Sequence, residues 1–141
     1  ANDTELVVID YLQRVKDPSV PAGNERLEIK HTAIELKEYA KRHNVPVVAL
    51  AQLNREADAT APTSRRDQRR QNPRPTLRML KGCGDIEQES DVIVFLWREL
   101  YNDDERPGVE RSEIIVAKHR NGQEKILGAG FFGDLVSFEE V

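Results

Sequence analysis

The sequence predicts an α/β fold, a mainly parallel sheet flanked by helices with an antiparallel β-hairpin at its C-terminal end. Three observations carry this. Four nearly continuous apolar runs rich in Val and Ile, Leu6 to Ile9, Val45 to Ala51, Val92 to Trp97 and Ile114 to Ala117, read as strands buried on both faces, as in parallel sheets. A stretch of helical periodicity separates the first two runs, and strand–helix–strand forms a right-handed crossover. An Asn-Gly pair divides two strand-like segments near the C-terminus, the residue pair suited to a tight type I′ turn.

The helix is predicted over Glu25 to His43. Asn24 is its N-cap, and Glu25 and Glu28 suit the positive end of the helix dipole. Ile29, Ala33, Leu36 and Ala40 recur at helical spacing and form the buried stripe. Lys41, Arg42 and His43 fit the C-terminal end, Asn44 fits a left-handed cap, and Pro46 blocks continuation. The hairpin is predicted from Ile114 to Arg120, turning at Asn121-Gly122 and returning from Gln123 to Phe132, with a last short strand over Asp134 to Phe138.

With 141 residues, 38% of them hydrophobic, the chain is one ordinary domain with material for a core. No apolar run approaches the ~20 residues of a membrane span, and the polar start from Ala1 to Thr4 is no signal peptide. The single cysteine, Cys83, forms no internal disulfide and fits a cytoplasmic protein. The net charge of −4 hides an asymmetry: from Arg55 to Lys81 eight basic and three acidic residues give +5, leaving −9 for the rest. A basic segment on an acidic body suits a polyanionic partner; it equally suits a solvated loop. Residues 56–84, polar and interrupted by Pro62, Pro73, Pro75 and two glycines, are expected to be a mobile, basic loop region.

Four places carry candidate chemistry. Asp10 directly follows an apolar strand, and in open α/β sheets ligands bind beyond the carboxyl ends of strands. An aspartate there can hold Mg²⁺ through water beside nucleotide phosphates; it also fits a turn or helix cap. Gln52 follows the second buried run, where an amide can sense a phosphate or orient a water, or simply serve as loop polarity. Lys81, Gly82 and Gly84 lie in a glycine-containing loop whose N–H groups can approach phosphates. Cys83 has no second cysteine or histidine nearby for a metal site. Lys118 and Arg120, on alternate residues of a strand, share a face. They can reach one anion, as an arginine finger does for a neighbouring subunit's nucleotide, or form a solvated basic turn. His119 points the other way.

The order and wording of these segments are more specific than any one of them. Val7-Val8-Ile9-Asp10-Tyr11-Leu12-Gln13, then Asn44 to Arg55, then Arg74-Pro75 leading to Gly84-Asp85-Ile86-Glu87-Gln88-Glu89-Ser90-Asp91, then Ala117 to Gly122 strongly resemble the bacterial replicative helicases of the DnaB type over nearly the whole chain. Phage primase-helicases and the mitochondrial Twinkle helicase share parts of the pattern. The resemblance implies a recombinase-like P-loop ATPase core, of which this chain is the C-terminal portion. It implies ATP and Mg²⁺ as cofactors and a homo-hexamer around single-stranded DNA, moving 5′ to 3′ and unwinding the duplex at replication forks. Primase and a helicase loader are the implied partners. By the same resemblance Asp10 is the Walker B acid, and Gln52 links nucleotide state to the DNA loops. Arg74, Lys81, Gly82 and Gly84 lie on the DNA side, and Lys118 and Arg120 reach the γ-phosphate of the adjacent protomer. The family usually has Arg-Glu-Ser-Gly where Lys81-Gly82-Cys83-Gly84 stands, and commonly Ser-Asp where Arg78 and Met79 stand. Lysine keeps the charge of arginine but not its fork.

No G-x-x-x-x-G-K-[ST] phosphate loop occurs in the sequence. In the resembled family that loop, the catalytic glutamate and a primase-docking domain lie upstream of the Walker B strand. The chain is accordingly expected to be part of a larger helicase and inactive in ATP hydrolysis alone. Two other readings remain: a recombinase or repair ATPase of the same fold, against which the Glu87-Gln88 and Lys118-to-Gly122 wording argues, and a DNA-binding or ring-interface module that never hydrolyses nucleotide.

Overall fold

The computed structural model describes residues 4–21, 23–53, 74–80, 84–98 and 109–140. Most of the basic loop region, including Lys81 and Gly82, falls outside the described residues. The chain divides into two compact units, Ala1–Asn54 with Leu80–Ser90 and Arg55–Met79 with Asp91–Val141.

The first unit is the strand–helix–strand crossover. Strand β1 (Val7–Ile9) and strand β2 (Val47–Ala49) flank helix α1 (Glu25–His43). The two strands pair in parallel, Val7 opposite Val47 and Ile9 opposite Ala49. The helix bounds are those the sequence dictates. Asn24 Oδ1 accepts the Leu27 N–H at 3.1 Å, satisfying a donor that the first helical turn leaves open. At the other end Asn44 adopts the left-handed conformation (φ 51°), its N–H bonding to the carbonyls of Ala40 and Lys41. Ile29 packs with Leu12 and with Ile86 of a short helix α2 (Gly84–Glu89), and Ala33 and Leu36 close over them. A Lys30–Asp85 ion pair of 2.9 Å also joins α1 to α2.

The second unit is a four-stranded antiparallel meander of strands β3 (Val92–Arg98), β4 (Val109–His119), β5 (Lys125–Phe132) and β6 (Ser137–Glu139), in that spatial order. The parallel arrangement therefore holds for β1 and β2, while the other three pairings among the described residues are antiparallel. The run from Val92 to Trp97 is a strand, but not one buried on both faces. Ile93, Phe95 and Trp97 are buried, whereas Val92, Val94 and Leu96 are exposed, Leu96 to 61%. Val8 at 60%, with Leu6, Val48 and Leu50, is likewise exposed in the first unit. Alternating burial here is invisible to hydrophobic periodicity because both faces carry apolar side chains.

The hairpin of β4 and β5 is antiparallel as expected, but the type I′ turn at Asn121-Gly122 is not formed. That turn needs positive φ at both central residues, and among the described residues only Gly23, Asn44 and Val136 have it. The paired register ends at Val116 opposite Lys125, while β4 continues along β3 to His119 opposite Val92. The Arg120 N–H then bonds to the Asp91 carbonyl at 2.8 Å. This ladder holds the end of β4 straight past the point where a two-residue turn would fold it back. Between Ile93 and Val94 the register shifts by one residue, with Ala117 left unpaired on β4 as a β-bulge.

Candidate functional site

Asp10 and Gln52 stand at the carboxyl ends of adjacent parallel strands, and both are exposed. Main-chain bonds hold the two ends together beyond the strands. The Leu50 N–H donates to the Ile9 carbonyl at 2.9 Å, and the Leu12 N–H donates to the Leu50 carbonyl at 2.8 Å, bracketing Asp10 on either side. Leu12 is buried, so the segment carrying Asp10 is pinned by its own core contact. A second clamp comes from Gln13. Its Nε2 donates to the Gln52 carbonyl at 3.1 Å, and its Oε1 accepts the Gln52 N–H at 3.2 Å. Gln13 thus fixes the main chain of Gln52 at both polar groups and leaves the Gln52 side chain at the strand end. Its amide carries a donor and an acceptor, as this double contact demands. The sequence contained the residue, but no local pattern pairs positions 39 apart.

Gly84 begins α2, and a Cβ there would meet nothing within 4 Å, so close packing within the chain does not require glycine at this position. A shallow cleft of about 310 Å³ in the same unit is lined by Asn24, Arg26, Leu27, Lys30 and Asp85; neither Asp10 nor Gln52 lines it. Among the described residues no group of three or more His, Cys, Asp or Glu is placed to hold a metal ion. Mg²⁺ bound through one or two carboxylates plus phosphates and waters needs no such cage, and an exposed carboxylate such as Asp10 fits that mode.

The second unit carries the cations. Lys118 is half-buried opposite Ile93, and Arg120 is exposed. Arg120 pairs with Asp91, Nη1 to Oδ1 at 3.3 Å, with both side chains about half exposed. Such an exposed ion pair holds weakly and is screened by salt. The His119 ring lies over Gly122, where a Cβ would come within 2.7 Å of it. The glycine of the Asn-Gly pair is therefore explained by this close approach, not by a positive φ.

Arg74 is engaged within its own unit. Its Nε and Nη2 donate to Glu113 Oε2 and Oε1 at 2.5 and 2.6 Å, a two-pronged pair, and its guanidinium lies 4.9 Å from the centre of the Trp97 ring. The Glu113 side chain is only 6% exposed. The Arg74 bond holds the Glu113 carboxyl below its ordinary value, against the opposing effect of burial, with Arg74 and Arg111 charges adding to the lowering. No feature of the sequence links residues 74 and 113.

Comparison with known proteins places these features in a family. Residues 1–140 match the DnaB-like helicase C-terminal domain. The chain is 33% identical over 133 residues to the replicative DNA helicase DnaC of Bacillus subtilis (strain 168), covering 94% of this chain and 27% of that protein. It is 38% identical over 138 residues to the replicative DNA helicase DnaB of Pasteurella multocida (strain Pm70), covering 96% and 27%. Among solved structures, a DnaB-like replicative helicase, described with its interactions with primase, aligns with a TM-score of 0.77 at 30% identity, over all of this chain and 31% of that one. The chain thus spans about a quarter of the length of these curated relatives. Since the match runs through both units, taking in the strand ends of the first and the cation-bearing hairpin of the second, the chain belongs to the DnaB-like helicase C-terminal domain family.

Proposed function

We propose that this chain supplies part of the motor of a hexameric replicative DNA helicase, coupling ATP hydrolysis to movement on single-stranded DNA and to duplex unwinding. The carrying observation is the pair of polar residues, Asp10 and Gln52, at the carboxyl ends of adjacent parallel strands in a chain of this family. That is the position at which open α/β sheets bind ligands. Asp10 acts as the strand-end acid that orients water around Mg²⁺. The bound ion would neutralise phosphate charge. Gln52, its main chain fixed by Gln13, reports the phosphate state to the chain that follows it.

Lys118 and Arg120 act on the nucleotide of a neighbouring protomer. A cation supplied in trans stabilises charge that develops on the transferred phosphoryl group. The basic region 56–84 supplies the DNA side through Lys81, Gly82 and Gly84, and primase and a loader are partners of the assembled ring. In this reading the sheet is completed by further parallel strands from the rest of the motor domain.

Phosphoryl transfer depends on cradling the β and γ phosphates, and the sequence holds no phosphate loop. The purified chain is therefore expected to show no ATP turnover with Mg²⁺ and single-stranded DNA. A hexameric ring of the complete motor containing this segment should turn over and lose activity with Asp10→Asn. DNA-stimulated hydrolysis by the chain alone, abolished by Asp10→Asn, would overturn the division of labour.

A further inference from the structure

We propose that Arg74 is a positioning residue: it clasps Glu113 and Trp97 and so holds its own segment of the basic DNA-binding region on the sheet, without itself contacting DNA. This rests on the DNA-binding reading of that region given above. Trp97 and Glu113 are direct partners across β3 and β4 and therefore share a face. Arg74 lies over both, with two charge-assisted hydrogen bonds to the carboxylate and its guanidinium carbon 4.9 Å from the centre of the indole ring. Only arginine matches a carboxylate bidentately while offering a planar surface to an aromatic ring. Trp97 and Glu113 are both buried. A carboxylate that deeply placed is costly to leave unpaired, which opposes release of Arg74 to a phosphate.

The chain leaving Arg74 is ordered at once. Pro75 follows, then the Met79 N–H closes on the Thr76 carbonyl at 2.9 Å, and Met79 is buried. The clasp thus sits within the basic region, immediately before a fixed turn.

The two roles for Arg74 have opposite consequences at Glu113. Glu113→Gln removes a negative charge. If Arg74 were a phosphate contact, that change would free it and leave DNA binding equal or tighter. If Arg74 is the clasp, Glu113→Gln loosens the segment at Arg74 and weakens binding although the chain has become more positive.

The test measures binding of a labelled 20-nucleotide oligo-dT to the 141-residue chain by fluorescence anisotropy across a salt series. The variants are Arg74→Ala, Arg74→Lys and Glu113→Gln, with hydrogen exchange followed over 74–80 and over β4 and β5. The clasp predicts that all three weaken binding by about 3- to 10-fold, since a released segment must be re-ordered on binding. It also predicts an unchanged slope of log K against log salt, and faster exchange at 76–80 while the sheet stays protected. A slope reduced by about 0.7 in Arg74→Ala, the contribution of one phosphate contact on a single strand, with Glu113→Gln unimpaired, overturns it. If Arg74→Ala unfolds the sheet, Arg74→Lys decides. Lysine lacks the fork, so a clasp still fails, whereas a phosphate contact keeps nearly wild-type affinity. If the wild-type chain binds no oligo-dT, the DNA reading fails on its own account and exchange alone judges the clasp: faster exchange at 76–80 in Glu113→Gln supports it, and unchanged exchange there overturns it.

Discussion

Gln13 holds the main chain of Gln52 at both of its polar groups, donating to the carbonyl at 3.1 Å and accepting from the N–H at 3.2 Å. The two contacts are exposed, so each contributes little stability, and Gln13→Ala should cost about 1 kcal/mol in urea unfolding. The larger effect is expected on coupling. In the assembled motor, Gln13→Ala should preserve basal ATP turnover while reducing its stimulation by single-stranded DNA. Gln13→Glu keeps the acceptor for the Gln52 N–H and loses the donor to the carbonyl, so it should fall between. Stimulation unchanged in Gln13→Ala, measured alongside basal turnover, would remove Gln13 from the coupling path.

Arg120→Ala in the hexameric ring should lower ATP turnover by about 10³–10⁵-fold, the range for an arginine supplied in trans, with nucleotide binding largely kept. Mixing subunits tests the trans geometry. Arg120→Ala protomers and protomers mutated in the phosphate loop should each be inactive, and mixed rings, verified by native mass spectrometry, should regain activity. Asp91→Asn removes a charged partner of the guanidinium and should leave turnover near normal or raised. No recovery across mixing ratios, or normal turnover in Arg120→Ala, would return the cation to an ordinary surface role.

The Arg74–Glu113 pair makes stability depend on acid. Glu113 titrates below its ordinary value of 4.5, chiefly through its hydrogen bonds from Arg74. A depressed carboxyl stabilises the fold fully above its unfolded pKa, and this contribution is lost as the pH falls through the folded pKa. Wild-type stability should therefore decline below about pH 4.5 more steeply than that of Arg74→Ala, as measured by urea midpoints between pH 6 and pH 3. Equal slopes would show that the pair carries no linkage. Asp17, which accepts bonds from the Ser19 hydroxyl and N–H and from His31, is lowered to about 2 and should titrate separately by carboxyl NMR.

Val136 has φ of 51° and is 78% exposed. A β-branched residue pays a steric cost of about 1–2 kcal/mol in the left-handed region and, so exposed, gains little from packing. Val136→Asn should raise stability by about 1 kcal/mol, readable as a shift in the urea midpoint with m unchanged. A lower midpoint would mean that the turn at 133–136 has a use for valine.

Legibility in the sequence followed the range of the interaction. Both ends of α1 were readable because Asn24, Asn44 and Pro46 act on main chain within a few residues. The strand runs were readable as strands, since Val and Ile crowd a helix and suit a pleat. Their pairing was not. Parallel and antiparallel ladders accept the same residues, and apolar Val92, Val94 and Leu96 concealed an exposed face. The Asn-Gly turn failed because contacts of residues 119 and 120 with the neighbouring strand override a local preference. For Asp10 and Gln52 the strand-end placement read from the sequence is the one observed. Arg74 required the fold, because its carboxylate lies 39 residues away and its ring partner on another strand.

The unpaired Ala117 sets the phase of the side chains at the hairpin tip. Counting on from Val94 opposite Val116 with Ala117 paired regularly, positions 117 and 119 would lie on the face of Ile93, and the imidazole would stand where the two cations now do. With Ala117 left out of the pairing, Lys118 and Arg120 take that face, and Arg120 meets Asp91. A slip that took Ala117 into the ladder would change no charge and leave every cation present, yet move both to the other face of the sheet, whereas deleting Ala117 would leave Lys118 opposite Ile93. The bulge in β4 thus decides which face of the sheet Lys118 and Arg120 take.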